Sequence, residues 1–336
     1  MVLAVDGNSL VHRSFHSQAR TGLRSADGRP MWAVRGLLTA LVAAAERIAP
    51  DTIVVGFDDP GTSLRRQKWP QYKANRADKL DTLVEQLAYA AEILQEMGVA
   101  VVVPDGLEAD DVLASAARSA DASTVIMTSD RDAFTLIDEH TSVLRVIDGG
   151  VEASPMLTPQ RLVMLLGIRP DQYLDYAALR GDASDNLPGV RGIGPKTAAM
   201  LLASLGSARA AFDDVAGSGG RVADAIGVSR AERLRQPDAR ATWELNCQVM
   251  AMHDDIPLDP GAGRLPLPVD AVCSAFAASQ LTWTTSAAMR DLAGQESADA
   301  AREPERVEPS WDWSAPRQRF GRLPKPAPTM EQLALF

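Results

Sequence analysis

The chain has 336 residues, 46% of them hydrophobic and 23% charged; this is ordinary for a folded protein, excludes disordered and collagen-like chains, and leaves room for about two domains. The 34 basic and 44 acidic residues give a net charge of −10, which argues against a polyanionic partner only as an average, because binding depends on where the charges sit. Two cysteines, Cys247 and Cys273, are too few for a disulfide framework and read as core thiols, no apolar run reaches the roughly 18 residues of a membrane span, and Asp6 interrupts the apolar start too early for a signal peptide.

In chain order, Val2–Val5 reads as a strand, followed by Asp6-Gly7, a turn dipeptide by composition. Trp32–Ile48 has the Ala/Leu periodicity of a helix, and Thr52–Phe57 is a second strand that ends at Asp58. The stretch from Arg65 to Lys79 holds six basic residues, one acid and two aromatics. Cations interleaved with aromatics suit single-stranded nucleic acid; a solvated loop is the plainer alternative. Thr82–Met97 predicts a helix with Gly98 as its stop, and Val99–Val103 a third strand. Glu108 and Asp111 then stand at i, i+3 around the start of a helix over Ala109–Ser119, where acids also complement a helix N-terminus. Strands over Thr124–Met127 and Ser142–Ile147 complete a βαβ pattern and a parallel sheet, with Asp130 and Asp132 following the first of them.

From about Thr158 the pattern becomes helical. Asp182 and Asp185 repeat the i, i+3 spacing, and Gly192-Ile193-Gly194-Pro195-Lys196-Thr197 is a glycine turn opening a helix, able to hold a backbone phosphate or to serve as a plain tight turn. Residues 295–330, rich in Pro, Ala, Glu and Arg, predict a flexible tail in which Trp311 and Trp313 are unexpected.

Ligands of open α/β sheets bind beyond the carboxyl ends of the strands, and that is where Asp6, Asp58, Glu108, Asp110, Asp111, Asp130 and Asp132 fall, with Asp182 and Asp185 entering from the helical half. Setting these nine acids aside leaves acids and bases almost equal. Such a crowd repels itself unless hard cations occupy it, and an all-oxygen donor set favours Mg²⁺ or Mn²⁺ over zinc.

Asp6-Gly7-Asn8-Ser9, Phe57-Asp58, Glu108-Ala109-Asp110-Asp111, Thr128-Ser129-Asp130-Arg131-Asp132, the run from Gly181 to Val190 and the run from Gly192 to Thr197 resemble, in order, the motifs of the 5′ nuclease family, which includes bacterial flap endonucleases and the 5′→3′ exonuclease domain of DNA polymerase I. The resemblance covers about residues 2–290. It implies a PIN-like, resolvase-like nuclease core over residues 1–160, with a helical arch at about 64–98. A helical domain over 161–294 with a helix-three-turn-helix motif, and a tail over 295–336, would follow. It implies that Asp6, Asp58, Glu108, Asp110, Asp111, Asp130 and Asp132 are inner or near-inner ligands of two or more metal ions, with Asp182 and Asp185 completing the site from the helical domain and Asp6, Asp58, Asp110 and Asp130 central to catalysis. Lys73 and Arg76 would steer the scissile phosphate, Tyr72 would stack on a base, and Arg13 would contact a phosphate. Gly192, Gly194, Lys196 and Thr197 would grip duplex DNA, with K⁺ at nearby carbonyls.

Met31-Trp32 departs from the small residues of many relatives, so packing against an upstream duplex is expected to differ. The final Gln332, Leu333, Leu335 and Phe336 resemble a peptide that docks on the bacterial sliding clamp; a short amphipathic end is the alternative. With no polymerase module in the chain, a stand-alone monomeric nuclease is expected, cytoplasmic and nucleoid-associated, acting on 5′ flaps, nicks and RNA-primed ends. The rivals are a PIN-like ribonuclease and an inactive DNA-junction binder tethered to the clamp.

Overall fold

The computed structural model describes residues 1–25, 28–119, 123–281 and 284–295. Strands β1 (Val2–Asp6), β2 (Thr52–Gly56), β3 (Ala100–Val102), β4 (Thr124–Thr128), β5 (Thr141–Arg145) and β6 (Met156–Leu157) form one sheet in the order β3-β2-β1-β4-β5-β6. The first five are parallel. The two-residue β6 adds an antiparallel edge that the sequence pattern did not suggest. The chain steps outward from β1 through β2 to β3, then crosses to the other side of β1 for β4, so the strand order reverses between β1 and β4. Asp6 ends one of these strands and Asp130 follows the other, which puts both acids at the topological switch point.

Helices α1 (Gly7–Gln18), α2 (Trp32–Ile48), α3 (Leu64–Lys68), α4 (Asp81–Glu96) and α5 (Ala109–Ser119) surround this sheet. The Asp6-Gly7 turn suggested by composition is instead the start of α1, with Asp6 as its N-cap accepting the Ser9 N–H at 2.8 Å. Apolar positions of α2 at Val34, Leu37, Leu38, Leu41 and Val42 are buried and share one core with Ile53, Val55, Leu83 and Leu94. Full burial of each such side chain contributes about 1.5–3 kcal/mol. Gly56 lets α5 approach closely, since a Cβ there would lie 2.9 Å from Val112 Cβ and 3.0 Å from the Ala109 carbonyl.

Beyond the sheet come α6 (Gly150–Ala153), α7 (Pro159–Leu166), α8 (Tyr173–Arg180), the short hairpin β7 (Gly181–Asp182) and β8 (Leu187–Pro188), α9 (Pro195–Leu205), α10 (Ala208–Ala216), α11 (Gly220–Ile226), α12 (Val228–Leu234) and α13 (Pro237–Met250). Apart from α6, whose Val151 packs in the core under α2, the helices of this half share a separate core that includes Phe134, Tyr173, Leu201, Phe212 and Trp243.

Two features depart from the expected boundaries. The stretch expected as an arch over 64–98 divides: α4 is a core helix that buries Leu83, Ala90, Ile93 and Leu94, and only residues 64–80 stand over the strand ends. The last helices, α14 (Val269–Ala278) and α15 (Thr285–Asp291), leave the helical half. Ile53 N–H donates to the Gly263 carbonyl and Leu265 N–H to that of Asp51, both at 2.9 Å, and Val272, Phe276 and Leu292 join the core of α2 and α4. Cys247 is half-buried and Cys273 exposed, so Cys273 is not a core thiol. Among the described residues no helix is long and apolar enough to cross a membrane. Trp311, Trp313, Gln332, Leu333, Leu335 and Phe336 lie outside the described residues.

Candidate active site

A cleft of about 610 Å³ opens at the carboxyl ends of β1, β2 and β4. Asp6, Asp58, Asp110 and Asp130 line one side, with Lys73, Arg76 and Lys79 reaching in from the loop after α3. Asp6 is 4% exposed and also accepts the Thr128 hydroxyl at 2.7 Å. Asp58 is fixed by Asn8, whose Nδ2 donates to its carboxylate while Asn8 Oδ1 accepts the Asp58 N–H at 3.1 Å, and by the Ala109 N–H at 3.0 Å. The Thr128 hydroxyl accepts the Asp130 N–H at 3.0 Å, and Asp130 Oδ1 accepts the Asp132 N–H at 3.1 Å. Each acid is therefore aimed by the strand or helix end that bears it.

Acidic charge accumulates here, offset only in part by Lys73 and by Lys79, whose Nζ lies 3.8 Å from Asp58. Burial, reinforced by Asp58 and Asp130 and opposed by Ser9 and Thr128, pushes Asp6 up to about 7. Burial and the nearness of Asp6 and Asp130 hold Asp110 well above the usual carboxylate range, and burial with Asp130, Asp182 and Asp185 pushes Asp132 up to about 7. Asp110 Oδ1 is sealed from solvent and has no hydrogen-bond partner. Asp182 is turned toward its own loop, accepting the Ser184 N–H at 2.8 Å and lying 3.7 Å from Arg180. Asp185 pairs with Arg76, and its carbonyl accepts the Lys73 N–H at 2.9 Å.

Among the described residues no three His, Cys, Asp or Glu side chains converge on one ion-sized point. A hard divalent cation takes oxygen ligands from carboxylates and completes its shell with water. The orphaned Asp110 oxygen and the all-carboxylate donor set fit such a cation.

Three sequence expectations change. Asp111, expected among the metal ligands, has no lone pair left: Oδ1 accepts Arg65 Nη2 at 2.7 Å and the His253 N–H at 2.8 Å, while Oδ2 accepts Arg65 Nη1 and the Glu108 N–H, both at 2.9 Å. Glu108 is likewise engaged, by Arg65 at 3.1 Å and by Tyr72 Oη and Lys73 Nζ at 3.0 Å each. Tyr72, expected to stack on a base, is 5% exposed and packs on Leu187 and Val249. Gly192 and Gly194, with Lys196 and Thr197 of the first turn of α9, lie outside the cleft, as a separate duplex grip requires; Gly192 has φ +83°, and a Cβ on it would strike the Arg233 guanidinium.

Arg13 lies in the cleft, paired with exposed Asp148 at 2.6 Å. Lys73, at φ +54°, is held in the left-handed region. Burial opposes its charge, but Glu108 and Asp185 keep it above the usual lysine value. The sequence reading missed Asn8, Ser9, His12, His16, Lys79, Ser129 and Asp148, which also line the cleft. Residues 8, 12 and 16 recur every four positions along α1, a signal legible once a helix is placed there. Burial, with Lys79 and His16 nearby, lowers His12 to about 4, so it is neutral at pH 7.

Residues 1–164 match the family model for the 5′-3′ exonuclease N-terminal resolvase-like domain, and residues 168–268 match that for the 5′-3′ exonuclease C-terminal SAM fold. The chain belongs to the 5′-3′ exonuclease family. It is 37% identical over 237 residues to DNA polymerase I of Mycobacterium tuberculosis and 36% identical over 263 residues to that of Thermus aquaticus, which covers 70% and 77% of this chain but 26% and 29% of those relatives. It thus spans about a quarter of their length. Among solved structures, zinc-bound T5 5′-exonuclease aligns over 83% of this chain and 97% of its own, with a TM-score of 0.60 at 18% identity. The catalytic core of Rad2 in complex with DNA substrate aligns over 87% and 90%, with a TM-score of 0.53 at 17% identity. At these identities the likeness establishes the fold.

Proposed function

We propose that this exonuclease-family chain is a structure-specific 5′ nuclease that hydrolyses phosphodiesters at 5′ flaps, nicks and RNA-primed ends during DNA replication and repair. The observation that carries the reading is the carboxylate group around the partnerless Asp110 Oδ1, facing Lys73 and Arg76 across one cleft. T5 flap endonuclease has been crystallised with DNA and metal ions, and Rad2 with DNA substrate, in the same fold.

In this reading Asp6, Asp58, Asp110 and Asp130 would surround one divalent cation, one or two binding it directly and the others through water, and Asp132, Asp182 and Asp185 would flank a second. Mg²⁺ or Mn²⁺ bound there acidifies water and neutralises charge that develops on the phosphoryl oxygens. Arg76 exchanges its carboxylate partner for the scissile phosphate, Lys73 donates to that phosphate while still held by Glu108, and both stabilise its charge. Arg13 leaves the exposed Asp148 for a neighbouring phosphate. The N-terminus of α9, with Lys196 and Thr197, takes a duplex phosphate through free backbone N–H groups, with K⁺ at nearby carbonyls. The reading carries with it a monomer working at the nucleoid in the cytoplasm, and a C-terminal peptide that docks on the sliding clamp, tested by whether deleting residues 332–336 lowers clamp affinity.

The main test is cleavage of internally labelled double-flap DNA, beside blunt duplex, single strand and a flapped RNA, with Mg²⁺, Mn²⁺ or EDTA. Metal-dependent incision at the DNA junction, lost in Asp130→Asn while DNA binding persists, is the expected result. Tight junction binding without incision under either metal would make the chain a scaffold, and a preference for RNA would make it a ribonuclease.

A further inference from the structure

Arg65 is a buried cation that none of the chemistry above uses, with a side chain only 7% exposed. It follows the first residue of α3, and its fork reaches four acceptors on three residues in two separate segments. Nη1 donates to Glu108 Oε2 at 3.1 Å and Asp111 Oδ2 at 2.9 Å; Nη2 donates to Asp111 Oδ1 at 2.7 Å and to the Ala251 carbonyl at 2.9 Å. A guanidinium can span such a set, whereas an ammonium, whose donors radiate from one atom, cannot. A two-carboxylate site closed to solvent would otherwise be strongly repulsive, so the cation is part of what lets the start of α5 pack there.

The consequence extends into the cleft. Glu108 Oε2, held by Arg65, also accepts Tyr72 Oη, while Glu108 Oε1 accepts Lys73 Nζ. The Lys73 backbone, in its left-handed conformation, is tied separately to the Asp185 carbonyl. Lys73 is thus fixed at both ends: its main chain by the β7–β8 hairpin and its ammonium by a carboxylate that Arg65 positions. The cationic groups facing Lys73 include Arg76 as well as Arg65, and the anionic ones are Glu108, Asp185 and Asp110.

We infer that Arg65 is a positioning residue: through Glu108 it sets the Lys73 ammonium at the lip of the carboxylate cleft, with Asp111 as its permanent counter-ion, so that Glu108 and Asp111 serve the arch rather than the metal. The inference rests on the nuclease reading for its effect on rate, but not for its effect on Lys73.

The test uses the full chain as Arg65→Lys, Glu108→Gln, Lys73→Ala and the double variant Arg65→Lys with Lys73→Ala. The chain has five lysines, so after reductive ¹³C-methylation the Lys73 resonance is assignable as the one lost in Lys73→Ala. Arg65→Lys and Glu108→Gln are expected to shift it, to lower kcat on flapped DNA by about 10- to 100-fold with KM changed less than about threefold, and to leave Mn²⁺ affinity by calorimetry within about twofold. The double variant is expected to be no slower than Lys73→Ala alone, because residues acting as a unit are not additive. An unmoved Lys73 signal, additive losses, or an Mn²⁺ affinity that falls with Glu108→Gln would each overturn the inference. If the wild-type chain does not cut DNA at all, the nuclease reading fails while the Lys73 signal still decides this one. Thermal unfolding of each variant identifies a global loss of fold. Where Arg65→Lys does not fold, Glu108→Gln, which leaves the Arg65–Asp111 pair intact, carries the test alone.

Discussion

Asp110 and Asp111 are neighbours in sequence at the start of one helix, yet the molecule treats them in opposite ways. Asp111 is fully buried and saturated by four hydrogen bonds, two of them from a buried guanidinium. Asp110 is half-buried, has an oxygen without a partner, and faces other acids. Rotation by about 100° per residue around a helix is enough to place adjacent side chains in these two environments. A carboxylate's role follows from whether the fold brings it a fixed cation: one that has its counter-ion built in is structural, and one left without is available to a cation from solution.

Neutralising each acid in turn sharpens this contrast. Asp110→Asn is expected to reduce Mg²⁺-dependent incision on the order of a thousandfold, comparable to several kcal/mol of lost charge stabilisation, while the metal-free protein melts at a higher temperature because repulsion is relieved. Asp111→Asn is expected to do the reverse to stability, costing about 3–5 kcal/mol in denaturant unfolding, because it leaves Arg65 buried with an incomplete partner. Equal and same-signed stability effects in the two variants would erase the distinction.

Acidity offers a gentler probe. Asp6 and Asp132, each held near 7 against 3.8 for the unconstrained group, retain protons in the folded state that the unfolded chain has lost. Their contribution to stability is full below about pH 4 and is lost as pH rises through about 7. The metal-free chain should therefore melt higher at pH 5.5 than at pH 8, and Mg²⁺ should restore more at pH 8; a pH-independent effect of Mg²⁺ would break the account. The smallest change is expected at the exposed Arg13–Asp148 pair, where Asp148→Ala should alter stability by less than about 1 kcal/mol and tighten DNA binding slightly at low salt.

Five parallel strands and α2, α4 and α5 were legible because their β-branched runs and Ala/Leu periodicity reflect burial directly. Helix α1 was not, because one of its faces lines the cleft with Asn8, His12 and His16 and so lacks a clean apolar contrast. The acids at strand ends were legible as a group from their position after apolar runs. Which of them hold a cation was not: the fate of Asp111 depends on Arg65, 46 residues away in sequence, and on the backbone at Ala251 and His253. Tyr72 looked like a stacking platform beside basic residues, but Leu187 and Val249, which enclose it, arrive from the far half of the chain.

The return of α14 and α15 to the sheet sets the order in which the molecule can be completed as it is made. Helices α2 and α4 share their core with Phe276, Leu281 and Leu292, which emerge from the ribosome some two hundred residues after α4. At about 5–20 residues per second this leaves part of their apolar surface uncovered for roughly 10–40 s, while the core joining Phe134 to Trp243 already has all its members. The helical half can thus complete its core first, and α14 and α15 close the opposite face of the sheet last.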